Sequence, residues 1–420
     1  MNNDWKKLDN AAKIFPSSIH HTDTHVFRFV CELNEPVDAE VLQSAFEATL
    51  DEFDSYNVIL KRGVFWYYLE PADLSPEVYM ESSKICAGIY NKQEKNLLLS
   101  VTYFKCRINL EIFHVLTDGT GALNFLRMLI TKYLSKKHKI DEPPLDFDAS
   151  KTQMQDDSFL KYYSGESLFR MKAKKLRPAA QLQGFRYWEE RLRVITGTMR
   201  TSDVLRLAHE HNTTLTIYLC ACLYTAIANV MSTRDRKKPV VLCVPVNLRK
   251  YFPSESVRNF FATTYVPYNF SQRDGSFSDI VASVSNAFKD NLTEENLGFI
   301  LNNYSAAENN IIAKIAPLKI KDAYLRRAYM KNIKNSTATL SNVGVVKMPP
   351  ELEKYIRSFD VLSATEKLHV CLCSYNDTLS ISFTTPFRSS DVERNFFRIF
   401  TGAGVRVEIA SNDLDEQEED

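Results

Sequence analysis

Apolar residues recur along the chain with two periods, and the switches between them predict the order of elements. Over residues 38–53, Val41, Leu42, Ala45, Phe46 and Leu50 share one helical face. Residues 56–60 and 65–69 read as strands around an Arg62-Gly63 turn, and 96–113 as two strands with a polar break near Lys105. A helix follows over 119–134, with Ala122, Phe125, Leu126, Leu129, Ile130 and Tyr133 on its inner stripe. From Lys136 the chain turns polar, with Pro143-Pro144 and the basic run Lys172, Lys174, Lys175 and Arg177. The second half predicts a strand at 193–199, helices at 202–210 and 215–231, and an apolar central strand at 240–246. Then come a helix at 277–291, strands at 337–346, 367–375 and 378–385, a helix at 390–400 and a short strand at 405–409.

Strands and helices mix in both halves without regular βαβ alternation. The expected fold class is therefore α/β, as two α+β sandwiches side by side. The chain has 420 residues, long enough for two cores. The expected division is 1–150, a connecting segment at 151–182, 183–410, and an acidic, disordered tail at 411–420.

Charge narrows the partners. Lys plus Arg and Asp plus Glu number 52 each, so nucleic acid and anionic membrane are not expected. Neither a signal peptide nor a membrane-length apolar run is read in the sequence, so the expectation is a soluble, cytoplasmic chain. Eight cysteines, most within apolar runs, read as buried thiols. The Cys220–Cys222 and Cys371–Cys373 spacings are too short for a redox or zinc pair. His20, His21 and His25 lie at a strand, where H-H-x-x-x-H cannot align two rings, and no metal site is expected.

The stretch F-H-V-L-T-D-G-T-G, from Phe113 to Gly121, carries the chemistry. Cys106, Ile108, Leu110 and Ile112 alternate with Arg107, Asn109 and Glu111, and His114 has the parity of the apolar set. Its imidazole then faces inward at a strand end, with Asp118 and two glycines entering a helix. Near neutral pH such a histidine can serve as a general base. The plainer reading, a packed histidine beside an Asp N-cap, stands alongside it.

H-V-L-T-D-G resembles the H-x-x-x-D-G signature of the CoA-dependent acyltransferase superfamily. V-P-V-N-L-R (244–249), R-N-F-F (258–261) and S-N-V-G (341–344) resemble second-domain segments of bacterial alcohol acetyltransferase-like proteins. The resemblance implies two chloramphenicol acetyltransferase-like domains with an active-site tunnel between them. It implies His114 as general base and Asp118 as a structural acid, with Arg249 proposed as its partner. It also implies Gly119 keeping the channel clear, and Asn259, Ser341 and Asn342 lining the site or stabilising an oxyanion. Acyl-CoA, as acetyl-CoA, would be a cosubstrate and a small alcohol the acceptor, with no permanently bound cofactor and a monomeric chain. Condensation domains usually carry two histidines, and Phe113 takes the place of the first. A carrier-protein donor, an amine acceptor, or a non-catalytic binding protein of the same fold are the alternatives.

Overall fold

Three sheets carry the strands in this computed structural model, which describes residues 5–20, 22–72, 74–82, 84–147, 150–165, 178–188, 191–309 and 314–412. The basic run at 172–177, His21 and the acidic tail from 413 lie outside the described residues. A five-stranded sheet runs in the order Ile356–Ser363, Val26–Leu33, Arg107–Phe113, Leu99–Phe104, Val78–Met80. A seven-stranded sheet runs Phe261–Tyr268, Val240–Asn247, Ala338–Val346, Leu368–Tyr375, Thr378–Thr385, Arg193–Arg200, Glu408–Ser411. Lys6–Lys7, Tyr67–Pro71 and Val58–Arg62 make the third.

The helices cover these sheets as their apolar stripes require. Ala39–Glu52 packs on Gly119–His138, whose Phe125, Leu126, Leu129, Ile130 and Tyr133 are fully buried. Each such side chain contributes about 1.5–3 kcal/mol. In the second half, Leu215–Val230 packs between Phe277–Asn291 and Asp391–Gly402. Leu242, Leu340, Val370 and Phe383 line the sheet face beneath them.

The departures from the periodicity reading are local. The strand expected at 405–409 is Glu408–Ser411. Strands Phe261–Tyr268 and Ile356–Ser363 and helices Glu294–Asn309 and Leu318–Ile333 were not among the predicted elements. The two helices have weakly segregated apolar positions, and both strands carry polar residues on one face. Val240–Asn247 is interior, but only one of its faces is closed by helices; Cys243 and Pro245 on the other are partly exposed.

The halves are not separated at the expected boundary. Ile356–Ser363 leaves the second half and pairs with Val26–Leu33 at the edge of the first-half sheet. Its Phe359 and Val361 join the first core, as do Cys371, Cys373 and Tyr375 of the seven-stranded sheet. Phe359, 1% exposed and edge-on to Tyr375 at 5.1 Å, lies at that junction. Phe359→Ala should cost about 3–5 kcal/mol. In urea unfolding, probes in the two halves should lose structure at one shared, lowered midpoint.

Candidate active site

The pairing of Arg107–Phe113 continues one residue beyond the strand. The His114 N–H donates to the His25 carbonyl at 2.9 Å. His25 sits at φ +54°, a left-handed backbone costing roughly 1–2 kcal/mol for a residue with a Cβ. Side chains hold it there. Its Nε2 lies 2.9 Å from Ser18 Oγ and its Nδ1 3.3 Å from Asp23 Oδ1. Tyr329 donates to the other oxygen of Asp23.

Three aromatic rings surround His114. Phe15 stacks on it at 4.6 Å, with Phe27 at 4.9 Å and Phe261 at 5.3 Å. Its Nδ1 lies 3.0 Å from Asn259 Oδ1. The Asn259 amide nitrogen donates to the His114 carbonyl at 3.0 Å and to Asp9 Oδ2 at 3.1 Å. With both amide hydrogens so placed, Oδ1 is the acceptor. This pattern assigns the Nδ1–H tautomer to the neutral imidazole and leaves the lone pair on Nε2. Burial pushes the imidazole below its usual value, opposed by the Asp118 charge and the Asn259 bond. Behind Asn259, burial pushes the Asp9 carboxyl up to about 6, against the pull of Arg258.

Asp118 does not touch His114. It caps Gly119–His138, accepting from Thr120 N at 3.0 Å and Gly121 N at 3.2 Å through Oδ1. Its Oδ2 accepts from Arg249 Nη1 at 2.7 Å and Phe260 N at 2.8 Å. Arg249 is thus the partner proposed from the sequence. The same guanidinium donates to the Ser256 carbonyl at 2.8 Å and the Arg258 carbonyl at 2.6 Å. It therefore shapes the loop that delivers Asn259.

The remaining candidates divide. A Cβ on Gly119 would meet nothing within 4 Å, so this glycine borders open space. Gly121 differs: a Cβ there would lie 2.2 Å from both Thr117 Oγ1 and the Val257 carbonyl. The second glycine admits the Val257 loop rather than a ligand. Ser341 Oγ bonds His369 Nε2 at 2.9 Å on the sheet face turned to the first half. Asn342 points away, donating to Thr216 on helix Leu215–Val230 at 2.8 Å, and is not brought to His114. Asn259 proves to be a partner of the imidazole ring. Asp9, Asp23 and Tyr329 gave no sequence signal, since the contacts that tie them to the site, Asp9 to Asn259 and Tyr329 to Asp23, join residues far apart in the chain. His369 is partly exposed on the face toward the first half. His20 pairs with Glu366 at 2.9 Å, and no group of three or more metal-ligating residues occurs among the described residues. There, too, no single helix is long and apolar enough to cross a membrane.

The Asp118 and Arg249 side chains are only 6% and 10% exposed, so removing either leaves a buried charge. Asp118→Asn or Arg249→Met alone should cost about 3–5 kcal/mol in denaturant unfolding. The double variant should recover part of that loss, giving a coupling energy in the mutant cycle.

A model of the alcohol acetyltransferase family matches residues 195–401. No curated protein sequence matches the chain. Solved structures do. Polyketide synthase associated protein 5 from Mycobacterium tuberculosis is 14% identical, with a TM-score of 0.62 over 94% of this chain and 97% of that one. TRI3 trichothecene 15-O-acetyltransferase from Fusarium sporotrichioides is 10% identical, with a TM-score of 0.60 over 94% and 93%. F. graminearum TRI101 complexed with coenzyme A and deoxynivalenol is 10% identical, with a TM-score of 0.63 over 93% and 96%. The chain carries the two-domain fold of the CoA-dependent acyltransferases and condensation domains, and its second half matches the alcohol acetyltransferase model.

Proposed function

We propose that the protein is an acyl-CoA-dependent O-acyltransferase, transferring an acetyl group to a small alcohol with His114 as general base. The observation that carries this reading is the neutral imidazole, tied at Nδ1 to Asn259 so that Nε2 is the proton acceptor. An acceptor hydroxyl gives its proton to Nε2 as its oxygen attacks the thioester carbonyl. The tetrahedral oxyanion collapses, the C–S bond breaks, and the imidazolium returns the proton to the thiolate. Ser341 is the candidate donor to the oxyanion from the facing sheet. Asp118 and Arg249 hold the site without touching substrate. Both halves of one chain supply the site, which favours a monomer.

Thiol release from acetyl-CoA with a panel of small alcohols tests this reading. His114→Ala should lower kcat by about 10²–10⁴. Equal release from the variant, or none from the intact protein with any acceptor, would remove His114 as the base for these substrates. The pH profile is a further check. The active form is neutral, so kcat/KM rises as pH passes up through the pKa of His114. That pKa lies below 6.5, so the acid limb should fall below this value.

A further inference from the structure

One buried acid stands behind the imidazole without bonding to it. Asp9 follows the strand Lys6–Lys7 and is 2% exposed. Its Oδ1 accepts from Ala12 N at 2.7 Å, at the start of the short turn Ala12–Ile14. Helix Phe15–Ser18 continues from that turn, and the Phe15 ring stacks on His114 at 4.6 Å. Asp9 Oδ2 accepts from Asn259 Nδ2 at 3.1 Å and from the Asn259 backbone N–H at 3.3 Å. One carboxylate thus holds both the residue that stacks on the imidazole and the residue that bonds its Nδ1.

Asn or Ser would accept the bond from the turn as well as Asp does. The bond to Asn259 needs the charge. The Asn259 Nδ2 faces two oxygens, Asp9 Oδ2 and the His114 carbonyl. An ionised carboxylate only accepts. Turning the amide over would set its Oδ1 against two acceptors. A neutral side chain at position 9 can donate, which removes half of that penalty. The reversed amide would then donate to Nδ1, place the ring proton on Nε2 and remove the proton acceptor from the site.

Holding that charge is costly. The Arg258 Nε lies 3.9 Å from Asp9 Oδ2, beyond hydrogen-bond reach, and its Nη atoms donate to the Lys7 and Gln155 carbonyls. Burial pushes the Asp9 carboxyl up to about 6, and Asp157 pushes the same way. Arg258 and the bonds from Ala12 and Asn259 oppose the rise. The charged groups acting on His114 are Asp118 and His25, and His369 is coupled to it as well. Asp9 reaches the ring through Asn259.

We propose that Asp9 is a positioning residue for His114. Its carboxylate fixes the Asn259 amide so that the neutral ring carries its proton on Nδ1 and its lone pair on Nε2. The use made of Nε2 rests on the acyl-transfer reading; the tautomer is a property of the protein alone.

Nitrogen NMR of the full chain with ring-labelled histidine tests this without turnover, the His114 signals being those lost in His114→Ala. At about pH 8, above the pKa of the ring, Nδ1 should resonate as the protonated nitrogen and Nε2 as the bare one. The reverse in the intact protein overturns the assignment, with no variant needed. Asp9→Asn keeps the shape and removes the charge. It should move the ring toward the Nε2–H form and lower kcat about 10–100-fold at unchanged KM, the worth of one bond to a charged group. In an Asn259→Ala background the same substitution should lower kcat no further. Both carboxylate and imidazole must be deprotonated, so kcat/KM rises with pH through two groups in the intact protein and through His114 alone in Asp9→Asn. An unmoved tautomer in Asp9→Asn, an equal kcat loss in both backgrounds, or an acid limb of the same steepness marks a merely structural role and overturns the assignment. Absent thiol release bears on the acyl-transfer reading, whereas the ring signals bear on Asp9, so the two failures are distinct.

Discussion

The carboxylate of Asp118 ties the two halves of the chain together beside His114. One oxygen ends the first-half helix by accepting two of its free N–H groups, and the other accepts from Arg249 and from the backbone of Phe260. All of its acceptor capacity serves structure. Because Arg249 also grips the carbonyls of Ser256 and Arg258, the loop between them is held by the same charge pair. Asn259 sits on that loop, and the tautomer of His114 is set by Asn259. The tautomer of the His114 ring is thus tied, through Asn259, to a salt bridge that does not touch the ring.

A second constraint acts from the other side of the ring. His25 adopts a left-handed backbone and carries the carbonyl that accepts from His114. Strain of this kind persists only where surroundings over-determine it. Here Ser18 and Asp23 clasp its side chain, and Tyr329 ties Asp23 to a helix of the second half. Both supports of His114 therefore cross between the halves. The ring sits in an aromatic box that disfavours the imidazolium, while the facing sheet is polar and partly exposed.

Much of this was legible along the chain. The helix stripe from Ala122 to Tyr133 and the strands of the second half follow from local periodicity, because each buries one face against a partner. The inward parity of His114, the cap at Asp118 and its pairing with Arg249 could also be named beforehand. Polar elements were harder. Phe261–Tyr268 alternates faithfully, but threonine and tyrosine fall on both of its faces, so hydrophobicity gives no period to detect. Ile356–Ser363 reads as a second-half segment, yet its pairing partner lies more than 300 residues earlier.

The amino-acid sequence by itself determined which residues could do chemistry: a strand-end histidine, a capping acid, and an arginine after a buried strand. These depend on residue type and short spacing, which local sterics and hydrogen bonding translate directly into structure. Only the tertiary structure decided their roles. Asn259 became the partner of the imidazole ring, Gly121 the seat of a crossing loop and Asn342 a residue of the wrong face. Asp9 and His369 entered the neighbourhood of His114 from opposite ends of the chain. Such assignments require knowing which distant backbone lies alongside, and that is fixed by the burial of two cores against each other rather than by any local pattern.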